Sequence, residues 1–409
     1  MRILYLHQYF VDPTSGAGSS RSYEMARHLA ADGHEVFFLT TSARLGQSWA
    51  SQPGWNSHEL EGVRLEVLRL PYSNEMPFGQ RIEAFFQFAV RASLHVRRYE
   101  ADVVFATSTP LTIAIPGLAA KFWHRIPMVF EVRDLWPELP IAVGALRNPV
   151  MRSLARWLER VAYRASAFVV ALSPGMAAGV TKHKIPPSRV SVIPNSCDVS
   201  LFDVPAERGQ WVREKLSLEP GQPLIVYTGA FGLINGVGYL VDVAAAMRGI
   251  SPEVRFLLVG EGAEKDKVKT KAEQLGVLNR NLWIWPPLPK TQVPDLLAAS
   301  AIATSVVIPL KELWNNSANK FFDALAAGKP VAINHEGWQA DLIRKSGAGI
   351  VLPQDNAVRA ADLLYDFISD VEGMEKAADA SRRLADEEFS LDLLYSKFER
   401  VLQNAAAGR

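Results

Sequence analysis

The sequence predicts an α/β protein made of two Rossmann-like domains facing each other across a cleft. Three observations carry that prediction. Strand-like and helix-like segments alternate along nearly the whole chain. The alternation comes in two sets, parted by a run of Pro, Asn and Asp between Pro194 and Pro205. Glycine-rich turns recur where strand patterns run into helix patterns. Parallel sheets covered by helices on both faces produce such a text.

Ile3–Tyr9 reads as the first strand, and a Gly/Ser loop leads from it into a helix over Arg21–Ala31. Gly33 ends that helix, and Glu35–Thr41 is the second strand. A long polar loop follows through Trp49 and Trp55, then a strand over Val63–Leu70. Helix Arg81–Arg98, strand Ala101–Thr107, helix Leu111–Trp123 and strand Pro127–Val132 come next. Helix Pro149–Ala165 and strands Ala167–Leu172 and Val190–Ile193 close the first set. The second set opens with strand Leu224–Thr228 and helix Val237–Met247. It goes on through strand Val254–Val259, helix Glu264–Leu275, strand Leu282–Trp285, helix Thr291–Ala299 and strand Ile302–Val306. A short helix stops at Gly328, a residue suited to a C-cap, and strand Val331–Ile333 and helix Ala340–Lys345 follow. The tail from Ala357 to Ala406 is helical by pattern. The expected domains are 1–197 and 198–388, with a last helix over 389–409 packing back on the first domain.

At 409 residues the chain exceeds one core, and two or three domains are expected. Hydrophobic content of 48% and charged content of 21% are ordinary for a globular protein. One cysteine, Cys197, excludes a disulfide framework and a CxxC metal site; it reads as a small packing residue in a reducing compartment. No signal peptide pattern opens the chain. The longest weakly polar run, Leu111 to Ala120, is too short to span a bilayer. The net charge of +1 hides an asymmetry: residues 1–200 hold 21 Lys/Arg against 16 Asp/Glu. That excess suits an anionic surface or ligand and is too small to point to nucleic acid.

The segment from Asn315 to Lys320 is the strongest local signal. Small polar residues suited to helix capping precede Lys320 in a first helical turn. A helix start offers unpaired N–H groups and partial positive charge, so it suits phosphate. Lys320 opposes the helix dipole there, and an anionic ligand would offset that cost. A plain surface helix is the competing reading. Glycine turns at Gly16-Ala17-Gly18, Gly229–Gly236 and Gly260-Glu261-Gly262 all fall at strand ends. The first lacks the third glycine of a dinucleotide fingerprint, with Arg21 in its place, and the second strand ends in Thr40-Thr41 instead of an acid for ribose. Arg21 is either a phosphate contact or a surface residue. Arg133 and Asp134 end a strand in the first set. They form a structural ion pair, or Arg133 holds an anionic group and Asp134 orients a hydroxyl or serves as a base. Phe85, Phe86, Phe88 and Val90 lie beside Arg91, Arg97 and Arg98, and Arg152, Arg156, Arg160 and Arg164 repeat every four residues. Both helices fit an anionic membrane surface or a core-facing helix with a solvated basic side. No HExxH, Walker A, Cys/His zinc spacing or GxSxG elbow is present.

Taken together, Gly16-Ala17-Gly18, Val132 to Glu138, Val192-Ile193-Pro194-Asn195, Val259 to Gly262 and Asn319 to Val331 resemble the retaining glycosyltransferases of family 4, with the GT-B fold. The Arg-Asp-Leu-Trp-Pro-Glu and Asn-Lys-Phe-Phe segments are similar to bacterial surface-polysaccharide transferases of the N-acetyl-L-fucosamine transferase type. The resemblance implies an acceptor-binding N-terminal domain and a nucleotide-sugar-binding C-terminal domain. It implies donor contacts at Gly16, Gly18, Gly229, Asn235, Gly260, Glu261, Asn319, Lys320 and Asp323. Catalytic roles fall to Lys320, Asp134 and Arg133. Asp323 stands where the family has the second Glu of a pair that meets the ribose. Asn315 stands at the first Glu, with Glu312 nearby. Ala230 and Asn235 replace the usual Arg and Lys, and Arg133 replaces a common His. The implied activity is transfer of a sugar, an N-acetylated amino sugar from UDP, to a polyprenyl-diphosphate-linked acceptor at the inner face of the cytoplasmic membrane. No cofactor, metal or nucleic acid is implied. A sugar-nucleotide 2-epimerase on the same fold, or a non-catalytic nucleotide-sugar binding protein, stays open on the sequence.

Overall fold

The computed structural model describes residues 1–11, 21–45, 47–72 and 76–408. The chain divides into two compact units. One is Met1–Pro194 with Leu394–Arg409, and the other is Asn195–Leu393. The sequence reading put the breaks at 197/198 and 388/389, three residues after the first observed break and five before the second.

The first unit holds an eight-stranded sheet. Its strands are β1 (Arg2–Leu6), β2 (Glu35–Thr41), β3 (Trp55–Leu60), β4 (Val63–Leu68), β5 (Val103–Thr107), β6 (Met128–Val132), β7 (Phe168–Ala171) and β8 (Val190–Val192). Their order is β3-β4-β2-β1-β5-β6-β7-β8. Every described pairing is parallel except β3 with β4. β1, β5 and β6 are apolar nearly throughout and almost wholly buried, because helices cover both faces. β3 is a difference from the expected loop. Its sequence, Trp-Asn-Ser-His-Glu-Leu, is polar because it lies at an edge with its side chains half in water. The turn into β4 places both Glu61 and Gly62 at positive φ, 47° and 79°, as a two-residue hairpin needs. Two short helices, Glu138–Ala142 and Pro174–Thr181, were also not expected.

The second unit holds β9 (Leu224–Thr228), β10 (Arg255–Val259), β11 (Leu282–Trp285), β12 (Ile302–Ser305), β13 (Val331–Ile333) and β14 (Gly349–Val351). All pair in parallel in the order β11-β10-β9-β12-β13-β14. The three-residue β14 was missed because Gly349 opens it and no apolar run marks it. Among the described residues the stretch Leu233–Ile250, not Leu111–Ala120, is the one long and apolar enough by composition to cross a membrane. Its Leu240, Val241, Val243 and Met247 instead pack into the core over β9 and β10.

From Leu394 onward the last helix, Leu391–Ala407, belongs to the first unit. Phe398 meets Phe105 edge-on at 4.8 Å, Tyr395 donates to Asp32 at 2.6 Å, and His34 Nε2 lies 2.9 Å from Glu399.

Candidate functional site

In the second unit the carboxyl ends of β9 and β10 bring two glycine turns together. Gly229 N–H donates to Val259 O at 3.0 Å, and Phe231 N–H donates to Glu261 O at 2.8 Å. A Cβ on Gly260 would run into the Gly229 carbonyl. Gly260 is therefore required by the close approach of the two loops themselves. Beside them the helix Asn319–Ala326 begins, with Asn319 its first residue. Its N-cap is Ala318, which makes no side-chain cap. This corrects the expectation that the Asn/Ser run caps the helix. Those side chains are used elsewhere: Ser317 Oγ accepts from Asn195 N–H at 3.1 Å, and Asn316 Oδ1 from Ala318 N–H at 3.3 Å. Phe321 N–H donates back to Ala318 O at 3.0 Å, which leaves the Asn319 and Lys320 amides at the helix start for another acceptor.

Lys320 leans from that start toward the glycine turn. Its Nζ donates to Tyr227 Oη at 2.9 Å, lies 4.4 Å from the centre of the Tyr227 ring, and is 3.5 Å from Asn235 Oδ1. A Cβ on Gly229 would stand 3.1 Å from Lys320 Cε. Among the described residues no carboxylate pairs with Lys320. Loss of water around the ammonium lowers its pKa to about 7. A part-buried cation with neutral neighbours beside an uncapped helix start is a site shaped for an anion.

Asp323 lies one turn further along the helix. Its carboxylate accepts from Lys290 Nζ at 2.6 Å, and Lys290 Nζ sits 4.9 Å from the centre of the Phe202 ring. Glu261 is exposed and pairs with Lys265 at 2.6 Å. Sequence reasoning missed Tyr227 and Lys290. Tyr227 looks like one more apolar residue of a strand, yet a buried phenol two residues before a glycine turn needs a polar partner. Lys290 has no local signal, since its partner is 33 residues away. Cys197 is buried as expected, and its thiol donates to Phe322 O at 3.2 Å.

In the first unit the ends of β1, β5 and β6 make a second polar cluster. Arg21 is neither a surface residue nor a phosphate contact. It is buried, donates to Glu131 at 2.8 and 3.0 Å, and caps Ile193 O and Pro194 O. Thr107 donates to the other Glu131 oxygen at 2.6 Å. Arg133 N–H donates to Ser108 Oγ at 3.0 Å, and its guanidinium lies 3.4 Å from His7 Nε2. Burial and the neighbouring Arg133 hold the His7 imidazole well below its usual pKa, so it is neutral and accepts from Arg133. Desolvation raises the Asp134 carboxyl to about 6 despite the opposing pull of Arg133. Gly16 and Gly18 lie outside the described residues.

The two helices expected at a membrane divide their apolar residues. Phe85 and Phe88 are core residues, whereas Phe86, Val90 and Leu94 are exposed. On Pro149–Ala165, Leu154 and Trp157 are exposed, Arg152 donates to Leu146 O, and Arg156 pairs with Glu138. Among the described residues no group of His, Cys, Asp and Glu is arranged to hold a metal.

Residues 16–196 match the glycosyl transferase 4-like domain, and residues 211–384 match the glycosyl transferases group 1 domain. The chain is similar to D-inositol 3-phosphate glycosyltransferase of Xylanimonas cellulosilytica, 26% identical, over 93% of this chain and 90% of that one. Its backbone follows Anabaena HepE, solved with UDP and glucose, at a TM-score of 0.72 and 18% identity over 99% and 100% of the chains. It also follows WaaG, a glycosyltransferase involved in lipopolysaccharide biosynthesis, at 0.68 and 18% over 98% and 99%.

Proposed function

The chain is a family 4 glycosyltransferase of the GT-B fold that takes sugar from a nucleotide-sugar donor, and we propose that it moves an N-acetylated amino sugar from UDP to a polyprenyl-diphosphate-linked acceptor. The reaction retains the anomeric configuration, needs no resident metal, and serves surface polysaccharide synthesis at the inner face of the cytoplasmic membrane. The sugar type and the acceptor rest on the resemblance of the Arg133–Glu138 and Asn319–Phe322 segments to the fucosamine-type transferases. UDP is supported by the ligand of HepE.

The observation that carries the reading is Lys320, a part-buried ammonium with no carboxylate partner among the described residues, beside Gly229 and an uncapped helix start. In sugar transfer the acceptor hydroxyl oxygen forms the new bond to the anomeric carbon as the bond from that carbon to the diphosphate breaks. The electron pair leaves on the diphosphate oxygen. Lys320 and the helix N–H groups stabilise the charge that develops there. The hydroxyl proton passes to the departing phosphate oxygen, with Asp134 as the alternative base. Asn319, Gly229, Asn235 and Gly260 shape the diphosphate site, and Asp323 holds the ribose with Lys290 orienting it.

The test is calorimetric titration with UDP, GDP and ADP in metal-free buffer. Selective UDP binding supports the reading. Selective GDP or ADP binding overturns the choice of base. No binding overturns the donor site.

A further inference from the structure

A cavity of about 220 Å³ lies in the first unit between the helices Phe78–His95 and Pro149–Ala165. Ile82 and Phe85 line it from one helix, and Ala155 and Leu158 from the other. Leu111 and Trp136 close it from the segments that follow β5 and β6. Among the described residues no charged side chain lines it. Its mouth carries Phe86, Leu154 and Trp157, which are 45%, 53% and 61% exposed. An apolar groove opening through exposed aromatic residues marks a binding surface, because soluble proteins seldom leave such a patch bare.

Two features say what fills it. The first is continuity along the chain. Trp136 is two residues from Asp134, and Leu111 is three from Ser108, whose Oγ binds the Arg133 amide. The groove therefore begins where the polar cluster of the first unit ends. The second is charge. Arg81 precedes Ile82 and Arg152 follows Met151, which also lines the groove. Arg81 donates to Tyr72 Oη at 3.1 Å and Arg152 to Leu146 O at 2.8 Å. Among the described residues neither is in an ion pair. Arg152 thus holds the carbonyl of groove-lining Leu146, and Arg81 holds Tyr72, whose ring lies 5.8 Å from that of groove-lining Phe85. An apolar slot with such arginines beside its lining fits a ligand with an apolar chain and an anionic head.

We propose that this groove binds the isoprenoid chain of the acceptor next to its diphosphate. The proposal rests on the lipid-linked acceptor put forward above, and it makes the groove a prenyl subsite distinct from general attraction to a bilayer.

The experiment is calorimetry of the full chain with farnesyl diphosphate below its micellar concentration, and with inorganic diphosphate as the headgroup control. The expected result is that farnesyl diphosphate binds at least tenfold tighter than diphosphate. Ala155→Trp, which fills the slot and leaves Phe86, Leu154 and Trp157 in place, should remove that gain. Binding to phosphatidylglycerol vesicles should be unchanged in the variant. Leu158→Phe is the milder filling substitution should Ala155→Trp not fold, as judged by circular dichroism. Equal affinity for farnesyl diphosphate and diphosphate, or an undiminished gain in both folded variants, overturns the groove. Farnesyl binding that Ala155→Trp abolishes, without transfer to any polyprenyl-linked sugar, upholds the groove and overturns the acceptor reading instead.

Discussion

Lys320 Nζ donates to Tyr227 Oη at 2.9 Å and lies 4.4 Å from the centre of the same ring, so one phenol serves the ammonium with both its oxygen and its π face. Neither contact carries a full negative charge. Holding a lysine this way costs the folded protein a few kcal/mol relative to a solvated one. Lys320→Met should therefore raise the melting temperature by about 2–5 °C. It should lower turnover at least about 100-fold through loss of transition-state charge stabilisation. A melting curve and a sugar-transfer assay on the same sample check both halves. Near-normal turnover would sink the role given to Lys320.

The same burial predicts a pH dependence of nucleotide binding. Lys320 has a folded pKa of about 7, below its unfolded value. Below pH 7 it is already charged when the diphosphate arrives. Above pH 7 the diphosphate must draw a proton onto it. UDP affinity should fall as pH rises past 7, by up to about tenfold per unit. Calorimetry at pH 8 in two buffers of different ionisation enthalpy should show proton uptake in wild type and none in Lys320→Met.

Asp323 is tied to Lys290 at 2.6 Å, with both side chains mostly buried. A carboxylate fixed in this way can present its second oxygen to a ribose hydroxyl in one orientation. Asp323→Asn should weaken UDP about tenfold, the loss of one charge-assisted hydrogen bond. It should weaken 2′-deoxy-UDP or 3′-deoxy-UDP less, according to which hydroxyl is held. If both deoxy analogues fall as far as UDP, Asp323 does not contact the ribose.

The two-domain fold was legible because buried parallel strands write themselves as short apolar runs, and Leu224–Thr228, Leu282–Trp285 and Glu35–Thr41 have the bounds that periodicity assigned to them. β3 was not legible, because an edge strand needs few apolar residues and Glu61-Gly62 is a weak turn signal. In the candidate site, Lys320 and the glycine turn could be read locally. Their electrostatics could not, since Tyr227 is 93 residues from Lys320 in sequence. Arg21 was misread for the same reason: its partner Glu131 is 110 residues away. Lone charged residues show their type in sequence, and only packing shows whether water reaches them.

Glu159 is buried on the helix Pro149–Ala165, where Tyr163 Oη donates to it at 3.1 Å and His183 Nε2 lies 3.5 Å away. Desolvation raises its pKa to about 7, with Glu138 adding and Arg160 and Arg156 opposing. A carboxyl whose folded pKa is raised binds its proton more tightly when folded. Its contribution is full below the ordinary carboxylate range and is lost as pH climbs to about 7. Glu159→Gln should therefore flatten the fall in stability of the first unit between about pH 4.5 and 7. Thermal melts across that range check it. An unchanged slope means the carboxyl is solvated.

Arg21 and Glu131 form the most buried ion pair described, with side chains 2% and 1% exposed. Removing one charge leaves the other buried away from water without its ion-pair partner. Arg21→Met should destabilise the first unit by about 3–5 kcal/mol. Glu131→Gln should cost less, because Thr107 can still bond its amide oxygen and Arg21 keeps the Ile193 and Pro194 carbonyls. The double variant Arg21→Met/Glu131→Leu should recover most of the single loss, since no unpaired charge remains. Because the chain has two units, the comparison needs the transition of the first unit followed separately, for instance by hydrogen exchange of the β1 and β5 amides. If the double variant is as unstable as Arg21→Met, the pair contributes through its bonds to the chain at Ile193 and Pro194 and not through charge compensation.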